Sequence, residues 1–164
     1  MVQQPASMAR LPIKGRAREQ ARRLYDRDLY RWTRQQAKLL RAGKLSELDL
    51  ANLAEEIESL GKRDLREMFS RLRVLIAHLL KCQVLPGARV DEWKSPILAE
   101  RGEIEYILED SPSLRTELVT RFPKLYADAA ELVRIQTGLP PGTFPASPPF
   151  TLDQALDHDF MLQD

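Results

Sequence analysis

Four polar side chains stand on or beside apolar helical stripes: Gln36, Glu56, His78 and Arg101. An amide, a carboxylate, an imidazole and a guanidinium gathered between helices could hold a ligand or a cation. In such a cleft Glu56 and His78 would be the proton-transfer or metal-ligating groups. The competing reading is architectural. The same four residues could form a polar network that fixes helix register, with Arg101 paired to Glu56 or Glu58. Fuller chemical signatures are missing. The chain has no nucleophile elbow, phosphate-binding glycine loop, Cys-Cys pair or His-Glu-x-x-His. It also lacks Glu-x-x-His, so the di-iron pattern of helical bundles is not present. With two His and one Cys, a zinc site would have to lean on carboxylates. Asp157-His158-Asp159 could bind a metal weakly, but it reads better as a frayed helix end. No catalytic residue, metal site or cofactor is assigned from these residues.

A second set is electrostatic. Residues 1–23 carry Arg10, Lys14, Arg16, Arg18, Arg22 and Arg23 against one acid, Glu19. With Pro5, Pro12 and Gly15 in the same stretch, composition argues for an unstructured tail. The sharper reading is an arm for nucleic acid or another anionic surface. No aromatic residue is interleaved, so base stacking has no support.

The elements that must position these residues are helices. Charged residues make up 30% of the chain and aromatic ones 7%. That balance, with a 3.6-residue apolar period, argues for helices over sheet. The central stretch runs from Asp49 to Gln83. Leu50, Leu53, Ile57 and Leu60 form one stripe; Leu65, Met68, Leu72, Leu75 and Leu79 form another. The step from Leu60 to Leu65 turns the stripe by roughly 140°. Gly61 lies in that step, and Asp64-x-x-Glu67 resembles a new helix start. A break at Gly61 is therefore expected. Residues 74–80, VLIAHLL, are apolar except for His78 and belong inside a bundle; the run is too short to span a bilayer.

A first helix is expected from about Asp26 to Ala42, ending at Gly43, with Gln36 buried beside Trp32 and Leu40. Ser46–Asp49 resembles a capping box that opens the central stretch. A third helix is expected from about Trp93 to Glu109, with Ser95 and Pro96 at its start and Arg101 on its apolar stripe. A fourth should start at Ser111-Pro112 and continue in phase through Pro123 to Gly138. Residues 139–150 are too proline-rich for a helix and should lie extended over the bundle, pinned by Leu139, Phe144 and Phe150. Thr151–Gln154 is a capping box for a short last helix ending near Asp157. The net charge of +1 selects no partner. A single Cys82 suits a reducing compartment.

The phrases YDRDLYRWTRQQAKLLRAGKLSELDLANLAEEIESLG, RLRVLIAHLLKCQ, DSPSLR and TGLPPGTFP, in that order, resemble the bacterial "domain of unknown function 29" family over about residues 24–162. The resemblance implies a helical fold and a bacterial cytoplasmic origin, and it carries no established activity. Trp32 and Gln36, the pair Glu55 and Glu56, His78 to Lys81, and Arg101 match the family pattern. Pro96 and Pro123 depart from it.

The expected architecture is an all-α bundle of about five helices, with a proline-rich C-terminal wrap and a short final helix. Residues 1–23 form a basic tail and residues 24–164 a single helical domain. The reading adopted from the sequence is a non-enzymatic protein-interaction module with an unknown protein partner, cytoplasmic and without a membrane span. The alternatives are a metal- or ligand-binding protein using the Gln36, Glu56, His78 and Arg101 cluster, and a nucleic-acid binder using the basic N-terminal arm.

Overall fold

The basic N-terminal stretch holds a helix where composition argued for a tail. In the computed structural model, which describes residues 13–85 and 90–161, α1 spans Ile13–Arg27. Arg10 lies outside the described residues. Asp28 separates α1 from α2, Leu29–Arg41. Its φ of −156° is not helical, and its carboxylate accepts the Arg31 backbone N–H at 2.9 Å. That local competition for a backbone donor starts a second helix where one was expected from about Asp26. Gly43 ends the segment at φ 67°, the left-handed conformation that suits glycine after a helix.

Ser46 does not stand at the start of the central helix as expected. Leu45–Glu47 form a 3-10 turn, and α3 begins at Leu50. It continues unbroken to Val84, so the expected break at Gly61 does not occur. The residues that resembled a start signal serve the helix surface instead. Asp64 lies 3.4 Å from Arg63, and Glu67 pairs with Arg71 four residues on at 2.8 Å.

The stripe step at Gly61 marks a different boundary. The chain divides into two compact units, the first ending at Leu60 and the second starting at Gly61. Residues 50–60 of α3 belong to the first and residues 61–84 to the second. The change of stripe phase thus coincides with the boundary between the two units.

In the first unit α1 packs on α2 and on the 3-10 turn. Ala21, Trp32 and Leu48 are its buried apolar side chains among the described residues. The Tyr25 and Trp32 rings meet edge-on, their centroids 5.0 Å apart.

The second unit holds the main core. Met68, Leu72, Leu75 and Leu79 of α3 are fully buried there, as are Ile76 and Leu80. They pack with Ile97 and Ile104 of α4, Val90–Asp110, and with Leu118, Tyr126 and Val133 of α5, Leu114–Thr137. The helix α4 starts earlier than expected, and Pro96 lies inside it rather than at its start. Likewise α5 begins at Leu114 rather than at Ser111-Pro112. It runs through Pro123 in one phase, as expected, and ends at Gly138 with φ 69°. Residues 139–150 are turns and bends. Phe150 is buried and Phe144 packs against the core, while the Tyr126 hydroxyl donates to the Pro145 carbonyl at 3.1 Å. Thr151 and Gln154 form the expected reciprocal capping box of α6, Leu152–Leu156. The described residues thus form six α-helices and no strand, an all-α fold.

Candidate functional site

The four polar residues singled out above divide between the two units, Gln36 and Glu56 in the first, His78 and Arg101 in the second. Gln36 is 1% exposed on α2. Its Oε1 accepts the backbone N–H of Asp49 at 2.9 Å, so the amide ties α2 to the residue before α3. Asp49 is itself buried, and its Oδ2 accepts from Asn52 Nδ2 at 2.7 Å. Glu56 belongs to the first unit too, but it has a different partner. Its Oε1 accepts the Tyr25 hydroxyl at 2.6 Å. That hydrogen bond, then burial, pushes the Tyr25 phenol up to about 12.

In the second unit His78 is half-buried on α3, its ring 5.3 Å from that of Trp93 on α4. Lys81 Nζ lies 5.0 Å over the same Trp93 ring. Burial, helped by Lys81, lowers the pKa of His78, so the folded chain favours the neutral imidazole. Nδ1 of His78 and Nε1 of Trp93 have no hydrogen-bond partner among the described residues.

Arg101 is 1% exposed, so it does not snorkel outward, and its bonds go to backbone carbonyls. Its Nε donates to the Ala155 carbonyl at 2.9 Å, Nη1 to His158 at 3.3 Å and Nη2 to Phe160 at 2.7 Å. The guanidinium is a clip that holds the segment after α6 against α4. Its fork of N–H donors reaches three backbone carbonyls at once, which a compact ammonium would not match. Burial lowers its pKa, against the favourable field of Asp157. Beside the clip lies a cleft of about 320 Å³ floored by Ile104, Leu108 and Leu156. Glu105, Glu109, Arg115 and His158 stand around it. His158 Nε2 is 3.6 Å from Glu105, and Arg115 is paired with Asp153. Asp157 Oδ1 accepts the Asp159 backbone N–H at 2.9 Å, a turn rather than a ligand set. Among the described residues no three His, Cys, Asp or Glu side chains come together as a metal site.

Sequence reasoning missed three features. Arg71 lies within ion-pair distance of Glu67, Glu100 and Glu103, at 2.8, 3.4 and 3.3 Å, tying α3 to α4. Two of those partners are about thirty positions away, and no local spacing announces them. The basic stretch also extends further than residue 23. Arg23, Arg27 and Arg31 line one groove with Leu24 and Asp28. Their four-residue spacing was a legible signal. Of the expected arm, Lys14, Arg16, Arg18, Arg22 and Arg23 fall within α1, and Arg23 pairs with Glu19 at 3.4 Å.

The third missed feature is exposure. An apolar stripe on a helix ordinarily faces a core. Instead Leu50 is 59%, Ile57 67% and Leu60 54% exposed. The polar flank is what meets the neighbouring helix: Glu56, on the edge of the stripe, reaches Tyr25 of α1.

Among known proteins, a family model described as "Domain of unknown function DUF29" matches residues 24–161. A solved alpha-helical protein of unknown function from Rhodospirillum rubrum is similar at 27% identity and a TM-score of 0.55. The likeness covers 83% of this chain and 90% of that one. No curated protein matches.

Proposed function

The chain belongs to the DUF29 family, and from that premise we propose that it is a protein-interaction module whose contact surface is the first half of α3. The observation that carries this reading is the exposed stripe. Single exposed apolar side chains are ordinary on any protein. Leu50, Ile57 and Leu60 lie on one face of one helix, and Leu45 stands exposed just before them. A contiguous apolar face of this kind marks a surface that another molecule covers. No helix among the described residues is long and apolar enough to cross a membrane, which leaves a protein as the natural cover. The reading keeps the cytoplasmic location expected from a lone Cys82, and it needs no catalytic group. The test is a pull-down from native lysate with wild type and Ile57→Glu. A partner retained by wild type and lost by the variant is expected; identical bound sets would refute the reading.

A second reading has its own observation. Arg23, Arg27 and Arg31 along one groove could contact successive phosphates of a nucleic acid. Replacing the three by Gln would then abolish salt-sensitive retention of DNA or RNA. Retention that never occurs, or that the variant leaves unchanged, would dismiss it.

A further inference from the structure

The helix α2 carries an exposed face of one charge sign. Arg31, Arg34, Lys38 and Arg41 follow one another at three- and four-residue spacing. At about 100° per residue they fall within a sector of roughly 80°. Trp32 and Gln36, the buried side chains of α2, lie on its other side. All four basic residues are exposed, and α2 contains no Asp or Glu. Arg27, Arg31, Lys38 and Arg41 enter no ion pair among the described residues. Arg27 and Arg23 carry the row onto the end of α1, where they share a groove with Arg31. Arg23 is drawn to Glu19 at 3.4 Å, and the acid lining that groove, Asp28, caps the Arg31 backbone N–H.

Cations in a row with no counter-charge of their own suit a regularly charged polyanion. The row from Arg31 to Arg41 is about 15 Å long, so successive cations stand about 5 Å apart along the axis. Phosphates of a nucleic-acid strand recur at a comparable interval. A strand within a duplex winds away from a straight helix after a few phosphates. A flexible single strand can lie along the whole row.

The same face holds a ring. Tyr30 stands at the edge of the basic sector and is 72% exposed. Arg34 Nη1 donates to its hydroxyl at 3.2 Å, and the guanidinium carbon lies 5.9 Å from the ring centroid. An exposed aromatic ring among cations is a platform on which an unpaired base stacks, and a base inside a duplex offers it no free face. The sector from Tyr30 round to Arg31 contains no aliphatic side chain, so it has nothing to insert into a lipid surface.

We propose that the exposed face of α2 binds single-stranded nucleic acid without regard to sequence, with phosphates on Arg31, Arg34, Lys38 and Arg41 and one base on Tyr30. The proposal rests on the nucleic-acid reading above, and it moves the main contact from the groove to the helix face. The test is fluorescence anisotropy of the full chain with a labelled oligothymidylate and with a duplex of the same length. Tighter binding of the single strand is expected, a comparison that needs no variant. Arg34→Gln, Lys38→Gln and Arg41→Gln together should flatten the slope of log affinity against log salt by about 2, at ~0.7 for each single-strand phosphate contact. Tyr30→Ala should weaken binding about tenfold and leave that slope unchanged. Both variants change exposed side chains, so the helical circular dichroism spectrum should persist. A slope that the triple variant leaves unchanged overturns the α2 face; if replacing Arg23, Arg27 and Arg31 still lowers retention, the groove reading stands alone. A duplex bound as tightly as the single strand, or phosphatidylserine vesicles bound in its place, also overturns the proposal. A wild-type chain that binds no oligonucleotide at about 50 mM salt overturns the proposal and the groove reading together.

Discussion

Arg101 Nη2 donates to the carbonyl of Phe160 at 2.7 Å, and this bond is one of three by which a buried guanidinium holds the segment after α6 against α4. The partners are backbone oxygens. They cannot be removed by substitution, so no second mutation can make the loss of Arg101 harmless, as replacing a paired carboxylate would. The same arginine helps wall the neighbouring cleft, which makes the clip a structural element first.

Arg101→Met should therefore destabilise the second unit by about 2–4 kcal/mol, the range expected when hydrogen bonds from a charged donor are lost and their acceptors must find water. The C-terminal segment should also become the earliest site of limited proteolysis. Urea unfolding of both proteins reads the first effect and mass spectrometry of the fragments the second. Equal urea midpoints with an uncut C-terminus would contradict the clip.

Alkaline pH addresses the tie between α1 and α3. The Tyr25 phenol, ordinarily at 10.0, is pushed up to about 12, first by its hydrogen bond to Glu56. A raised value means that the fold favours the neutral phenol. Stability from this bond is complete below pH 10 and is lost as the pH climbs toward 12. Tyrosinate absorbance should show a late-titrating group that Tyr25→Phe removes and Glu56→Gln shifts back toward 10. If the wild-type and Tyr25→Phe difference titration centres on the ordinary value, the bond does not persist in solution.

Acid acts on the other unit through His78. Burial holds the imidazole below its ordinary 6.5. Below that pH the unfolded chain takes up a proton that the folded one resists, so stability is complete above 6.5 and falls with acidification. The thermal midpoint should drop as the pH is lowered through this range, and His78→Gln should remove part of the drop. An identical acid dependence in the two proteins would mean that His78 titrates freely.

Gly61→Ala separates the observed helix from the expected break. Gly61 lies inside α3, with open space where a Cβ would project. Alanine should stabilise the chain by about 0.5–1 kcal/mol, the usual difference between the two residues within a helix. A chain terminus of one helix at Gly61 would instead lose stability on this substitution.

The legible parts of the fold were those decided within one helix or one turn. Met68, Leu72, Leu75 and Leu79 repeat at helical spacing and are fully buried. Thr151 and Gln154 are three residues apart and cap each other as their types dictate. The stripe that keeps phase across Pro123 remained one helix. Long-range partners were not legible. Arg101 was identifiable as a polar residue in an apolar face, but its acceptors lie 54 to 59 residues away. Glu56 and Tyr25 are 31 residues apart. Gln36 could be placed inside, yet nothing in its neighbourhood named the Asp49 amide as its donor. The break expected at Gly61 failed for an instructive reason. The stripe changes phase where one compact unit gives way to the next, and α3 runs through that boundary without ending. Periodicity likewise showed that residues 50–60 have an apolar face, but it could not show that this chain leaves the face uncovered.

The most direct test of the interaction surface is photo-crosslinking in native cells with a photoreactive side chain at Ile57, compared with the same group at Glu55 on the opposite face of α3. The account predicts protein adducts from position 57 and none from position 55. Adducts from both faces alike, or from neither, would contradict it.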